Sequence, residues 1–315
     1  MNVTFHAAAG PDLGARLAGA AARAGLTLTI CPETDPAALA AALPATEVLW
    51  HVLAPATAAL IGAAPRLRLI QKIGTGVNTI DLDAARARAI PVCNLPGTNA
   101  RAVAELALAL MLATLRRLPE FDAATRAGQG FTLDPARLDG IGEIGGRTVG
   151  LVGYGAVPRI LAPILAALGC TLLYTARHEV TDAVARFRPL DALLAEADIV
   201  SLHLPLTAAT ARLIDAGRLA RMRPGAILIN TARGGLIDQA ALTEALRSHH
   251  LGGAGLDVFD PEPPDAATPL LALANTVLTP HIAWLTTGTF DRSLDLATEN
   301  CRRLGAGVPL LHRVA

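Results

Sequence analysis

The feature that most constrains this chain is an alternation. Short runs of β-branched and other apolar residues are separated repeatedly by alanine-rich stretches of helical character. A strand followed by a helix before the next strand gives parallel pairing, because the helix carries the chain back across the sheet. The expected fold class is therefore α/β, with two doubly wound parallel, Rossmann-like sheets. Strands are expected at Glu47–Leu53, Leu67–Ile73 and Ile90–Asn94, with helices such as Ala37–Ala42 and Leu82–Ala89 between them. Asn94 to Gly97 breaks the pattern, and a helix apolar on nearly every face is expected from Ala100 to Leu118. The less periodic stretch Pro119–Ile144, rich in Gly, Asp and Arg, reads as an arm or a connection between domains. A second series of strands is expected at Arg147–Gly153, Leu172–Thr175, Ile199–Leu204, Ala226–Asn230, Gly255–Val258 and Thr276–Thr279.

The chain has 315 residues, more than one core accommodates easily, so two domains are expected. Hydrophobic residues make up 52% and charged residues 17%, which argues for packed structure rather than disorder. A formal net charge of zero predicts no nucleic-acid partner. The longest apolar run, Leu106 to Leu115, is too short to span a bilayer, and the N-terminal stretch has no cationic leader. The expectation is a cytoplasmic protein without membrane contact. The four cysteines, Cys31, Cys93, Cys170 and Cys301, form no CxxC pair, so neither a disulfide framework nor a metal site is expected.

The run from Thr148 to Gly155, Thr-Val-Gly-Leu-Val-Gly-Tyr-Gly, is an apolar strand leading into a glycine turn, with a helix expected from Ala156 to Leu168. Gly153 permits the tight turn and Gly155 lets backbone approach a pyrophosphate. The amides of Ala156 and Val157 lie where a helix start can hold that group. Pro158 stands at the third glycine position of the dinucleotide fingerprint, which leaves the usual close helix–strand contact unsupported. An acid is expected about 20 residues past the glycines to bind the ribose hydroxyls of NAD. Thr175 stands there instead, with Arg177 just after it. No carboxylate repels a 2′-phosphate and a guanidinium can pair with one, so NADPH is the preferred cofactor, with NAD possible.

Three further strand ends carry reactive side chains: Ile229 to Gly235, Ala254 to Pro263, and Leu278 to Ile282. Open α/β sheets bind ligands at such carboxyl edges. A 2-oxo acid offers a carboxylate and a carbonyl. Arg233 suits the first and can polarise the second. Hydride transfer to carbon needs a proton delivered to oxygen, which His281 can supply, with Glu262 stabilising its protonated form.

With these motifs in place, the chain resembles the D-isomer-specific 2-hydroxyacid dehydrogenase family from about Glu47 to the strand carrying His281. The resemblance rests on the glycine turn, Asn-x-x-Arg-Gly at Asn230–Gly234, Gly-Leu-Asp-Val-Phe-x-x-Glu-Pro at Gly255–Pro263, and Thr-Pro-His-Ile at Thr279–Ile282. It implies that Arg233 binds substrate, His281 is the acid/base and Glu262 its partner. Asp257 would meet the nicotinamide carboxamide, with Thr231, Ala232 and Pro205 lining the cofactor. It further implies a discontinuous substrate-binding domain, 1–98 plus 284–315, a dinucleotide domain, 99–283, and a homodimer formed through the latter and the arm.

By the same resemblance, Gly76 and Val77 hold the substrate carboxylate through their amides, and His51 lies in a second substrate segment. Phosphoglycerate dehydrogenases tend to carry an arginine and a serine near His51 and Val52, so a phosphorylated acid is disfavoured. The short stretch after the last helix predicts no C-terminal regulatory domain. Glu262 argues against the formate dehydrogenase branch, which pairs histidine with glutamine. The stretch around Thr175 resembles that of NADPH-using glyoxylate/hydroxypyruvate reductases, making a small 2-oxo acid the expected partner molecule. The alternatives are a non-catalytic NAD(H)-sensing corepressor-like protein, or a dehydrogenase for phosphite or phosphoglycerate. Lys72, the single lysine, and Trp284 are left without an assigned role.

Overall fold

The computed structural model describes residues 1–315 and comprises two compact units, Met1–Asn99 with Leu285–Ala315, and Ala100–Trp284. Asn99 therefore groups with the first unit and Trp284 with the second, each one residue from the expected boundary.

The first unit runs β1 (Asn2–His6), α1 (Pro11–Arg23), β2 (Thr27–Cys31), α2 (Pro36–Ala42), β3 (Val48–His51), α3 (Ala58–Gly62), β4 (Leu69–Lys72), α4 (Leu82–Ala87) and β5 (Val92–Cys93). Its five strands are all parallel, in the order β2-β1-β3-β4-β5. Every residue of β3 and β4 is buried, as expected for strands covered on both faces. The expected strands 47–53 and 67–73 shorten at both ends, and the sequence pattern does not single out β1 or β2. Both are five-residue strands, and β2, at the sheet edge, buries only Cys31. An edge strand lacks the continuous apolar run by which its neighbours are recognised.

The second unit begins with α5 (Ala100–Leu115) and α6 (Leu118–Arg126). The single helix expected to Leu118 thus ends early. Arg117 takes a left-handed φ of 50°, and Pro119 sits in the first turn of the new helix, so the first part of the expected arm is helical. There follow β6 (Thr148–Val152), α7 (Ala156–Ala167), β7 (Thr171–Thr175), β8 (Arg186–Phe187), α8 (Leu190–Glu196), β9 (Ile199–Leu202), α9 (Ala216–Arg221), β10 (Ala226–Asn230), α10 (Gln239–Arg247), β11 (Leu251–Leu256) and β12 (Thr276–Leu278). The chain closes with α11 (Thr287–Ala306), which belongs to the first unit. The seven parallel strands are ordered β12-β11-β10-β9-β6-β7-β8, the doubly wound order of dinucleotide-binding sheets.

The expected strand Gly255–Val258 starts four residues earlier, at Leu251. Its opening, Leu-Gly-Gly-Ala-Gly, reads as loop because glycine favours strands poorly. Packing explains the glycines: a Cβ on Gly253 or Gly255 would press into Thr114 or Leu110 of α5. No helix in the structure is long and apolar enough to cross a membrane.

Candidate active site

In the second unit, β10, β11 and β12 lie side by side, and the chain leaving each carries one reactive group. After β10, the fully buried Asn230 organises the turn. Its Oδ1 accepts from the Ala232 amide at 3.0 Å and its Nδ2 donates to the Arg233 carbonyl at 2.8 Å. This side-chain-closed turn leaves Arg233 extended, with φ −152° and ψ 139°, at the start of a short 3₁₀ turn. Burial pulls the Arg233 guanidinium below its ordinary pKa, and the neighbouring charge of Glu262 opposes that shift. The turn also lies flat against the next loop. A Cβ on Gly234 would occupy the space of the Phe259 carbonyl, so only glycine lets the Arg233 and Glu262 loops meet.

After β11, Glu262 is fixed at both oxygens. Oε1 accepts from the Phe259 amide at 2.9 Å, and Oε2 lies 2.7 Å from His281 Nδ1. Burial pushes the Glu262 carboxyl up, but the hydrogen bonds from His281 and Phe259, together with the charges of His281 and Arg233, bring it below the usual carboxylate range. A carboxylate on Nδ1 favours the ring proton there and leaves Nε2 outside that bond.

His281 itself has a left-handed φ of 56°. The Asp257 carbonyl accepts its amide at 2.8 Å. The Asp257 carboxylate, fully buried, accepts from Thr279 Oγ1 at 2.6 Å, the Ile282 amide at 2.9 Å and the Ala283 amide at 2.9 Å. Both of the Asp257 oxygens thus hold the turn that presents His281. Trp284, without an assigned role from sequence, donates its indole N–H to the His281 carbonyl at 3.0 Å and so closes the same turn.

Several of the residues predicted to hold a nucleotide lie at the start of α7. Gly153 has φ 99°, and a Cβ there would collide with the His203 carbonyl. Its amide donates to the Thr175 carbonyl at 2.9 Å, which brings the ends of β6 and β7 together. Gly155 caps α7 without any side-chain hydrogen bond, and open space lies where its Cβ would be. The amides of Ala156 and Val157 follow it in the first helical turn, and Pro158, at the departed glycine position, is buried without stopping the helix. Two buried polar atoms at neighbouring strand ends, His203 Nε2 and Thr231 Oγ1, have no hydrogen-bond partner. Burial lowers the His203 pKa to about 4, so the ring is neutral. An open glycine cradle, an uncapped helix start and unpartnered polar atoms fit a dinucleotide. Ala232 is half-buried beside Thr231, while Pro205 and Arg177 are exposed, and Thr175 is half-buried at the end of β7.

The first unit carries the remaining predicted residues. Gly76 and Val77 are half-buried, and their amides donate to no carbonyl of the chain. His51 is fully buried, with Nε2 2.6 Å from the Ala54 carbonyl. Desolvation, and then the Lys72 charge, lower its pKa to about 3. The ring therefore pins the loop after β3 rather than presenting a surface. Lys72 is also buried, and its ammonium donates to the Val52 carbonyl of that same loop.

Sequence reasoning missed Asn230 as an organiser, although an Asn three residues before an Arg at a strand end is a recognisable turn signal. It also missed His203 and the anchoring role of Asp257, for which the sequence carries no local sign.

Residues 108–283 match the family described as D-isomer specific 2-hydroxyacid dehydrogenase, NAD binding domain. The D-3-phosphoglycerate dehydrogenase of Mycobacterium leprae is 40% identical over 278 residues, covering 87% of this chain and 52% of that protein. The chain thus spans about half the length of the phosphoglycerate dehydrogenases it matches. The glyoxylate reductase of Aeropyrum pernix is 39% identical over 249 residues, covering 76% of this chain and 74% of that protein. Among solved structures, the TT0316 protein of Thermus thermophilus aligns over 100% of both chains with a TM-score of 0.90 and 37% identity.

Proposed function

The chain belongs to the D-isomer-specific 2-hydroxyacid dehydrogenase family, and from that membership we propose that it interconverts a small 2-oxo acid and the D-2-hydroxy acid. The observation that carries this reading is the 2.7 Å pairing of His281 Nδ1 with Glu262, whose charge acts on the half-buried Arg233. A nicotinamide coenzyme, when bound, exchanges the hydride at C2 of the acid. Arg233 draws electron density toward the substrate oxygen and neutralises negative charge there. His281 Nε2 gives a proton to that oxygen in reduction and takes it back in oxidation, while Glu262 holds the imidazolium that forms or is consumed. Gly76 and Val77, with unused amides, hold the substrate carboxylate, and His51 and Lys72 act by fixing the loop at Val52–Ala54.

Thr175 in place of an acid, with Arg177 exposed nearby, supports NADPH as the preferred coenzyme. Buried histidine and aliphatic residues around Val52, without a guanidinium, favour glyoxylate or hydroxypyruvate over a phosphorylated acid. A panel of 2-oxo acids with NADPH and NADH, followed by absorbance, tests the whole reading. Turnover of glyoxylate or hydroxypyruvate with at least tenfold higher kcat/KM for NADPH is expected. No turnover of any 2-oxo acid would leave a binding role instead.

A homodimer is part of the same proposal. Phe131 is fully exposed and Leu118 and Leu138 about half so, and a cavity of about 630 Å³ in the same unit is lined by Pro119, Glu120, Ala123, Arg137, Leu271 and Val277. Light scattering checks this, with a single species of twice the chain mass expected.

A further inference from the structure

We propose that Tyr154 and Tyr174 are positioning residues for recognition of the adenosine 2′-phosphate, acting through the loop 176–185 that carries Arg177. The proposal rests on the NADPH reading above and goes beyond it by saying what makes Arg177 effective.

The loop joins β7 to β8 and has no regular structure of its own. It is held at alternate residues by side chains from the nucleotide-binding elements. The Tyr174 hydroxyl accepts from the Val180 amide at 2.7 Å and donates to the Val180 carbonyl at 3.3 Å. The Tyr154 hydroxyl accepts from the Val184 amide at 3.0 Å. Between these points, Arg159 of α7 grips Asp182 with two bonds of 2.7 and 3.1 Å. The two tyrosine rings pack 4.6 Å apart, Phe187 meets Tyr174 edge-on at 5.6 Å, and the Arg159 guanidinium lies 5.8 Å over the Tyr154 ring. Tyr154 is the middle residue of the glycine turn, so one side chain connects that turn to the loop.

Packing alone would be satisfied by phenylalanine at both positions. The hydroxyls add something else: they give partners to loop amides that would otherwise be free to move. A guanidinium on an unrestrained loop loses affinity to the entropy of ordering it, whereas one on a fixed loop does not. The clamp also engages Asp182 with Arg159, which keeps that carboxylate from competing for Arg177 or repelling a phosphate. Arg177 and His178, near the start of the loop, remain exposed.

The test uses the full chain and reads binding directly. Dissociation constants for NADPH, NADH, 2′,5′-ADP and 5′-AMP are measured by calorimetry for wild type, Arg177→Ala, Tyr154→Phe and Tyr174→Phe, each checked for an unchanged Tm. Tyr154→Phe and Tyr174→Phe are expected to weaken NADPH and 2′,5′-ADP by about three- to tenfold, leaving NADH and 5′-AMP within about twofold. Tyr154→Phe, whose hydroxyl meets the loop at Val184, decides the matter if Tyr174→Phe does not fold. If Arg177→Ala abolishes the 2′-phosphate preference but the clamp variants leave it intact, or weaken all four ligands equally, the clamp proposal is overturned and the NADPH reading stands. If wild type binds NADPH no better than NADH, or Arg177→Ala changes nothing, both fall.

Discussion

In the second unit the strand order reverses between β6 and β9; in the first it reverses between β1 and β3. Doubly wound sheets open a crevice at such a reversal, outside the carboxyl ends of the strands. At the first of these places the chain leaves β6 through Gly153, and Gly155 faces open space. At the second, β1 ends on His6 and β3 on His51, which are paired in register, with Lys72 of β4 next to His51. All three are buried, and His6 Nδ1 and His51 Nδ1 have no hydrogen-bond partner. One crevice is kept open by glycine; the other is filled with the chain's own basic side chains. The same winding therefore does not set the use. What stands at the strand ends does, and in the first unit the amides that donate to no carbonyl of the chain include those of Gly76 and Val77.

The contrast can be broken most directly by exchanging the two histidines' fates. His281→Ala is expected to lower kcat/KM by about 10²- to 10⁴-fold, because it removes proton transfer, with a smaller effect on Tm from the lost bond to Glu262. His51→Ala is expected to act mainly on stability. Equal losses of turnover in steady-state assays, with Tm unchanged in both, would mean that the filled crevice is chemically active too.

Next in size, Asp257→Ala leaves the Ile282 and Ala283 amides and the Thr279 hydroxyl without their acceptor. A loss of about 3 kcal/mol is expected from urea unfolding, with a fall in kcat as the His281 turn loosens. Unchanged kcat would separate the turn from the chemistry.

The pH dependence sharpens the other side of the comparison. The folded His51 pKa, about 3, lies below its ordinary value of 6.5. The unfolded chain therefore binds a proton that the folded chain refuses, and stability is full above pH 6.5 and lost as the pH falls toward 3. At pH 5 the loss is about 2 kcal/mol relative to pH 7.5. Urea midpoints for wild type and His51→Gln across that range check it; a wild-type slope no steeper than the variant's would show that the buried ring is protonated in the fold.

The smallest effect comes from one member of a matched pair of substitutions, made at both crevices. Gly153→Ala forces alanine into a left-handed conformation against the His203 carbonyl, which costs about 1–2 kcal/mol before any clash and weakens coenzyme binding. Gly10, which caps α1 in the first unit, has φ −69° and nothing near its Cβ. Gly10→Ala is expected to stay within about 0.5 kcal/mol. Comparable melting shifts for the two would erase the distinction between an open and a filled crevice.

Much of this was legible in advance because it is local. The glycine turn after β6, the apolar runs of β9 and β10 and the order of elements follow from neighbouring residues and their periodicity. Arg233, Glu262 and His281 could be chosen by residue type at strand ends. The edge strand β2 and the glycine-rich start of β11 were not legible, since an edge strand buries little and β11's glycines serve a helix laid against them.

The sequence by itself determined the layered α/β class, the dinucleotide turn and the residue types available for proton transfer, because covalent spacing and side-chain chemistry are properties of the chain alone. Only the tertiary structure decided how those residues are used. Asp257 meets amides 25 and 26 positions away, Glu262 meets a histidine 19 away, and Tyr154 holds a loop residue 30 away. Such pairings depend on which strands lie side by side and how far each projects, and strand registers are set by packing across the whole sheet rather than by any neighbouring residue.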